Sequence, residues 1–231
     1  MRIVLSIVSH QQQILVQNLL DSIDKYASCS AHELIIVITE NTSACNYVQS
    51  KKFSVKFIQN IRRKGFGSNH NAAFEKFESD YFFVINPDII FTENIDFDVL
   101  IHSFEVKSLD IASPKILNSL GQVEDYKRAD LTVLNLIKRK LIKKKKEEFQ
   151  WFAGMFLIIR SCSFKELSGF DTSYFMYVED CDLCMRARKA GMILGDLENF
   201  SVIHNAQRSS RRRLKHFKWH VKSLFRYIFC K

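Results

Sequence analysis

Apolar runs alternate with mixed stretches along this chain. Ile3–Val8 is apolar apart from one serine and predicts a buried strand. Ile14, Leu15, Asn18, Leu19 and Ile23 follow at helical spacing. Leu34–Ile38 and Val55–Ile58 predict two more strands. Gly65-Phe-Gly67 predicts a turn that opens a helix through Ala72, Ala73 and Phe77. Tyr81–Ile85 is a fully apolar strand that stops at Asn86-Pro87-Asp88. Four short strands separated by helices or helix-length gaps imply an α/β fold. Its central sheet is mostly parallel, is flanked by helices and has a nucleotide site at its carboxyl edge.

Beyond residue 118 the pattern loosens. Residues 118–148 lack regular spacing and end in a basic run, and they read as a mobile insertion. Trp151–Ile159 predicts one strand and Ser163–Leu167 one helical turn. A helix over Glu179–Ala190 stops at Gly191. Two short strands are expected near Ile193 and Ser201–Ile203. Leu214, Phe217, Val221, Leu224, Phe225 and Ile228 form one apolar face of a last helix. Residues 1–206 therefore read as one domain, and 207–231 as a basic amphipathic C-terminal helix.

Charge adds a partner to this picture. The net charge is +9, and residues 207–231 hold nine Lys or Arg and no acid. Lys138-Arg-Lys-Leu-Ile-Lys-Lys-Lys-Lys146 is a second basic run. Such patches suit membrane headgroups or nucleic acid. A nucleic-acid module would explain the tail, but it leaves the acid cluster at 179–182 without a use, so no nucleic-acid partner is expected. No apolar run reaches about 18 residues, so no membrane span is expected. The basic-then-apolar start reads as a strand rather than a leader, and the six scattered Cys as reduced thiols. The lone Cys181-x-x-Cys184 has no second pair at zinc spacing.

Three places could hold chemistry. Asp88 ends a central strand, where a carboxylate can help bind Mg²⁺ or Mn²⁺ beside a nucleotide; Asn-Pro-Asp also builds ordinary turns. Glu179, Asp180 and Asp182 crowd into four residues, more acid than a helix dipole needs. On a helix Glu179, Asp182 and Arg186 share a face while Asp180 points elsewhere. Asp182 is then a structural partner for Arg186, and Asp180 or Glu179 faces the cleft as a general base. His204 ends an apolar strand, where a metal ligand or phosphate contact could sit.

Together these segments resemble the family 2 glycosyltransferases with the GT-A fold. The resemblance rests on Lys64-Gly-Phe-Gly-Ser-Asn-His-Asn71, Phe83-Val-Ile-Asn-Pro-Asp-Ile89, Trp151-Phe-Ala-Gly-Met-Phe-Leu-Ile-Ile-Arg160 and the segment Gly169–Arg186. A narrower likeness is to dTDP-rhamnosyltransferases of bacterial O-antigen and cell-wall assembly. It rests on Val8-Ser-His10, Phe175-Met-Tyr-Val-Glu-Asp-Cys-Asp-Leu-Cys184 and Ile203-His-Asn-Ala-Gln207.

The resemblance implies inverting transfer of a sugar, L-rhamnose from dTDP-rhamnose favoured. The implied acceptor is a hydroxyl of a polyprenyl-diphosphate-linked or other oligosaccharide, and the implied place the cytoplasmic face of an anionic bacterial membrane. It assigns Asp180 as base, with Glu179 in reserve. Asp88 and His204 would hold Mg²⁺ or Mn²⁺, and His204 and Arg208 would meet the diphosphate. Asn86 stands where a second metal-motif carboxylate is usual. Ser9, Glu40, Asn41, Gly65, Phe66, Gly67, Asn71, Asn86 and Asp88 would bind the nucleotide sugar. Trp151 and Gly154 would border the donor and acceptor sugars.

Overall fold

The computed structural model describes residues 1–42, 47, 49–129, 131, 149–205 and 214–229. The first half of the chain contains β1 (Arg2–Ser9), α1 (Gln13–Tyr26), β2 (Ala27–Ser28), β3 (Glu33–Glu40), β4 (Ser54–Gln59), α2 (Phe66–Lys76), β5 (Tyr81–Ile85), β6 (Ile89–Ile90) and β7 (Ile95–Asp96). Then come α3 (Phe97–Val106), β8 (Ile111–Leu117), β9 (Lys127–Arg128), β10 (Trp151–Phe152), β11 (Phe156–Arg160), α4 (Ser161–Glu166), α5 (Glu179–Lys189), β12 (Leu194–His204) and α6 (Leu214–Phe229).

The main sheet runs β4-β3-β1-β5-β11-β8-β12-β6. Its first four strands are parallel. β11 then runs antiparallel to both β5 and β8, β12 returns parallel to β8, and β6 closes the edge antiparallel. The parallel expectation thus holds for these first four strands, and the sheet as a whole is mixed. β1 and β5 are covered on both faces, so their residues are buried almost without alternation. The chain lays β3 and β4 to one side of β1 and β5 to the other. This places a topological switch at the carboxyl ends of β1 and β5, where open α/β sheets bind ligands.

Several local expectations change. The single strand over Trp151–Ile159 is two, because the chain turns through Ala153-Gly154-Met155. The two short strands near Ile193 and Ser201 are one strand, β12, irregular between Leu197 and Ser201. Residues 118–129 are tied to the fold: Val123 bridges to Leu117, and β9 pairs with β10. The basic run at 138–146 lies outside the described residues. Gly191, with φ of +80°, follows α5 where a left-handed residue ends a helix.

Helix α6 packs against the main domain through one face. Trp219 meets the Phe175 ring, with centroids 4.9 Å apart, and Arg63 lies over both rings. The Ser223 hydroxyl donates to the Met176 carbonyl at 2.9 Å. Tyr177 and His216 share a 2.8 Å hydrogen bond. Of the tail expected at 207–231, the part Leu214–Phe229 is therefore joined to the loop that precedes α5, and residues 207–213 and 230–231 lie outside the described residues.

Candidate active site

The site is built where four strand ends meet. Ser9 and Glu40 end β1 and β3 in register, and both are buried. The Tyr47 hydroxyl donates to Glu40 Oε1 and lies 3.2 Å from Ser9 Oγ. Glu40 Oε2 is buried with no hydrogen-bond partner among the described residues. Asn41 ties this edge to the glycine turn. Its amide nitrogen donates to the Lys64 carbonyl and its oxygen accepts from the Lys64 N–H, both at 2.8 Å. An aspartate could accept there but not donate, so asparagine fits this position.

The turn at Gly65 and Gly67 is held against the segment before α5. A Cβ at Gly65 would stand 2.6 Å from the Phe175 carbonyl oxygen, which also accepts from Phe66 N–H at 2.9 Å. At Gly67 it would meet Phe170 Cβ at 2.6 Å. Asn71 spans the Phe170 backbone in both directions at 2.9 Å. The side-chain amide of Asn71, expected to line the base and ribose pocket, is thus engaged in holding Phe170.

Asp88 and His204 are brought together by β6 and β12, whose register sets His204 opposite Ile89. His204 Nε2 lies 3.3 Å from Asp88 Oδ2, and its Nδ1 lies 2.8 Å from Glu124 Oε2. Burial opposes charge on this imidazole, but hydrogen bonds and charge from Asp88 and Glu124 outweigh it and raise the His204 pKa. Asp88 Oδ1 is buried without a hydrogen-bond partner among the described residues.

The Glu179–Asp180 pair opens α5 after two residues in the left-handed region, Tyr177 at φ +71° and Val178 at φ +74°. That conformation is costly for a β-branched valine, and such strain collects at functional sites. Asp180 Oδ2 accepts the Gly154 N–H at 2.8 Å, and its Oδ1 accepts the Cys181 N–H at 2.8 Å. A Cβ on Gly154 would come 3.3 Å from Asp180 Cβ. Next to Gly154, the Met155 carbonyl accepts the Asn86 N–H at 2.9 Å. Asp180 and the Asn86–Asp88 turn are therefore joined through two adjacent residues. Asp182 pairs with Arg186 at 2.7 Å, as its spacing implied.

Glu179 differs from its neighbour. It is 5% exposed, and its Oε2 has no hydrogen-bond partner among the described residues. Burial, reinforced by the Asp180 charge, holds its carboxyl well above the ordinary range. The folded chain binds this proton more tightly than the unfolded chain. Its contribution to stability is full only below the ordinary carboxylate range and is lost as pH rises from there through the raised value. Glu179→Gln should therefore raise the thermal midpoint in mildly alkaline buffer, with the gap closing as pH falls to the ordinary carboxylate range. A denaturation series across pH checks this.

Three residues the sequence reading passed over stand at the site. Glu124, from the segment read as an insertion, backs His204. Arg128 lies over the Trp151 ring at 5.1 Å, and the indole N–H donates to the Ala129 carbonyl. Trp151 is only 3% exposed, against 33% for the Arg128 side chain, so Arg128 is the accessible group of the pair. His220 on α6 packs on Tyr177, and its pKa is lowered by burial and then by Arg128, with Asp180 opposing. Its helical spacing from His216 was the available signal. Arg208 lies outside the described residues.

Asp88 offers a carboxylate oxygen of the kind a hard divalent cation takes. The two imidazole nitrogens point apart, so Asp88 and Glu124 flank the ring and do not converge on one point. This agrees with the absence of any group of three or more candidate ligands among the described residues. Asp88 and His204 Nε2 can face one ion, with Glu124 fixing the histidine from behind. The unpartnered Asp88 Oδ1 is the free acceptor such a site needs. Mg²⁺ commonly takes one or two protein carboxylates and completes its shell with water and phosphate oxygens.

A model of glycosyl transferase family 2 matches residues 7–168. The chain belongs to that family. The match takes in the glycine turn, Asp88 and Gly154, and α5 and β12 add Asp180 and His204 beyond it. This glycosyltransferase is 29% identical to Rhamnosyltransferase WbbL of Escherichia coli (strain K12), over 96% of its own length and 90% of that protein's. It is 35% identical over 79 residues to N-acetylglucosaminyl-diphospho-decaprenol L-rhamnosyltransferase of Mycobacterium tuberculosis, covering 34% of this chain and 26% of that one. Among solved structures, mannosyltransferase PcManGT of Pyrobaculum calidifontis, in complex with GDP-Man and Mn²⁺, matches 97% of the chain with a TM-score of 0.65 at 14% identity. GalNAc-T7 with UDP, GalNAc and Mn²⁺ matches 88% with a TM-score of 0.66 at 16% identity. This chain spans 64% and 44% of those two chains. At such identities the likeness is one of fold, and that fold is GT-A.

Proposed function

We propose that this glycosyltransferase inverts the anomeric carbon as it moves L-rhamnose from dTDP-rhamnose to a hydroxyl of a polyprenyl-diphosphate-linked saccharide. The product would enter a bacterial surface polysaccharide, and the protein would work at the cytoplasmic face of the membrane. The observation that supports the chemistry best is the link from Asp180 through Gly154 and Met155 to the Asn86–Asp88 turn. It sets one candidate base beside the place where a nucleotide diphosphate would lie.

Asp180 takes the proton of the acceptor hydroxyl as that oxygen attacks the anomeric carbon. Its two bonds from backbone N–H groups fix the carboxylate in place. Glu179, held neutral beside it, is a poor proton acceptor by comparison. Ser9, Glu40 and Asn41 lie at the edge expected to hold the nucleoside, and Asp88 with His204 is the pair that would hold Mg²⁺ or Mn²⁺. When bound, such an ion neutralises charge on the departing diphosphate. The rhamnose donor rests on the names of the two relatives, and the lipid-linked acceptor on the second.

A thermal-shift panel of dTDP-, UDP- and GDP-sugars, each with and without Mn²⁺, tests this reading. dTDP-rhamnose with Mn²⁺ should give the largest shift, because a ligand at about 100 times its Kd adds roughly 2.7 kcal/mol. A larger shift from a UDP-hexose would move the donor assignment. No shift from any nucleotide sugar would remove the whole proposal.

A further inference from the structure

Helix α6 has two faces with different surroundings. Trp219, Ser223 and Tyr227 turn toward the body of the protein. Phe217, Val221, Phe225 and Phe229 recur every four residues along another side, and they are 68%, 48%, 59% and 65% exposed. Such a stripe on one helix would cost solubility if it met only water. Lys218 and Lys222, both exposed, fall along one border of the stripe at 100° per residue. No helix among the described residues is long and apolar enough to cross a membrane.

From this arrangement we infer that α6 beds on an anionic lipid surface through Phe217, Val221, Phe225 and Phe229, while its opposite face braces the loop that aims Glu179 and Asp180. Three observations on the same helix support the inference. The stripe has the form of an interfacial helix, apolar on one side and cationic beside it. The charge is one-sided, since α6 carries Lys215, Lys218, Lys222 and Arg226 and no acid, which matches an anionic surface and would repel a second copy of the same helix. The packed face reaches the site itself: Tyr177 bonds His216, Met176 accepts from Ser223, and His220 lies near enough to Asp180 to feel its charge. A lipid surface under α6 therefore lies beside the catalytic loop, where an acceptor anchored in that surface would arrive.

The inference builds on the proposed lipid-linked acceptor, and its test separates the two. The full chain would be floated with vesicles of phosphatidylglycerol and phosphatidylcholine, and with phosphatidylcholine alone. Wild-type protein should float with the anionic vesicles and stay behind with the neutral ones. Phe217→Ser with Phe225→Ser should weaken that binding at least about tenfold, and Lys218→Glu with Lys222→Glu should do likewise, since both apolar area and charge contribute. These side chains are exposed, so thermal midpoints and donor binding should match wild type. Transfer to a short water-soluble acceptor should also survive, while transfer to the same sugar on a polyprenyl carrier in vesicles should fall.

Wild-type protein that ignores anionic vesicles, or a double-serine variant that floats as wild type does, would overturn the inference. So would a concentration-dependent dimer that the serine variant abolishes, because a second copy would then cover the stripe. Vesicle binding without nucleotide-sugar binding would instead count against the proposed function and leave the lipid face standing.

Discussion

Asp180→Asn should lower the turnover of sugar transfer by roughly 10²–10⁴-fold, the range a positioned general base supplies. Donor affinity should stay unchanged, because the substitution removes a proton acceptor and leaves the nucleotide edge at Ser9, Glu40 and Asn41 untouched. The variant also carries a small structural cost. Both Asp180 oxygens accept backbone N–H groups, from Gly154 and Cys181, and an amide has only one oxygen to offer. One of those bonds is lost, at about 1–3 kcal/mol, so the fold should persist at a lower midpoint. Single-turnover kinetics beside donor titration separate these effects. Wild-type turnover in the folded variant would move the base elsewhere. Glu179→Gln is the companion: a group already neutral should be replaced with little loss of turnover, and a dead Glu179→Gln with an active Asp180→Asn would reverse the assignment.

Asp88→Ala is expected to have the second largest effect, a fall of roughly 10² or more in kcat/KM. Loss of a metal ligand forfeits several kcal/mol of charge stabilisation, and each 1.4 kcal/mol is about tenfold. Few polar contacts are lost with the carboxylate, because its Oδ1 has no hydrogen-bond partner and its Oδ2 meets His204 among the described residues. Donor binding supplies a second readout. In wild type Mn²⁺ should tighten nucleotide-sugar binding, and in Asp88→Ala that gain should vanish. Persistence of the Mn²⁺ effect would show that the ion is held by other residues. Asn86 stands in the same turn, with its backbone N–H already committed to Met155, and its uncharged side chain leaves Asp88 as the acidic member of the turn.

Where periodicity is strong, sequence and structure agree. The apolar strands at Ile3–Val8, Leu34–Ile38 and Tyr81–Ile85 lie within β1, β3 and β5, because strands buried on both faces leave a continuous apolar record. The stop at Gly191 was readable because only a residue tolerant of positive φ ends a helix that way. Helix α3 and strand β8 went unread. The signal for α3 was present, since Phe97, Leu100, Ile101 and Phe104 recur at helical spacing and are buried on one face of that helix. The split between β10 and β11 was hidden because the run from Trp151 to Ile159 is apolar throughout, and only Gly154 marks the turn.

The site shows the same division. Asp88, His204, Asp180 and the Asp182–Arg186 pair could be picked out because their residue types are chemically conspicuous at element ends. The partner of Asp180 could not, since it is the backbone N–H of Gly154, and a backbone group leaves no mark in residue type. Glu124 was invisible for another reason. It reaches His204 across 80 positions of sequence, through a segment with no regular spacing. The roles of Gly65, Gly67 and Asn71 are likewise tertiary. They depend on the approach of Phe170 and Phe175, which no local pattern records.

The central claim is a single displacement at the anomeric carbon with Asp180 as the one base. The anomeric configuration of the product, read by NMR from a donor of known configuration, tests it most directly. Complete inversion is expected in wild type, and Asp180→Asn should form the same inverted product roughly 10²–10⁴-fold more slowly. A product with retained configuration would contradict the claim, because a single in-line displacement must invert the anomeric carbon.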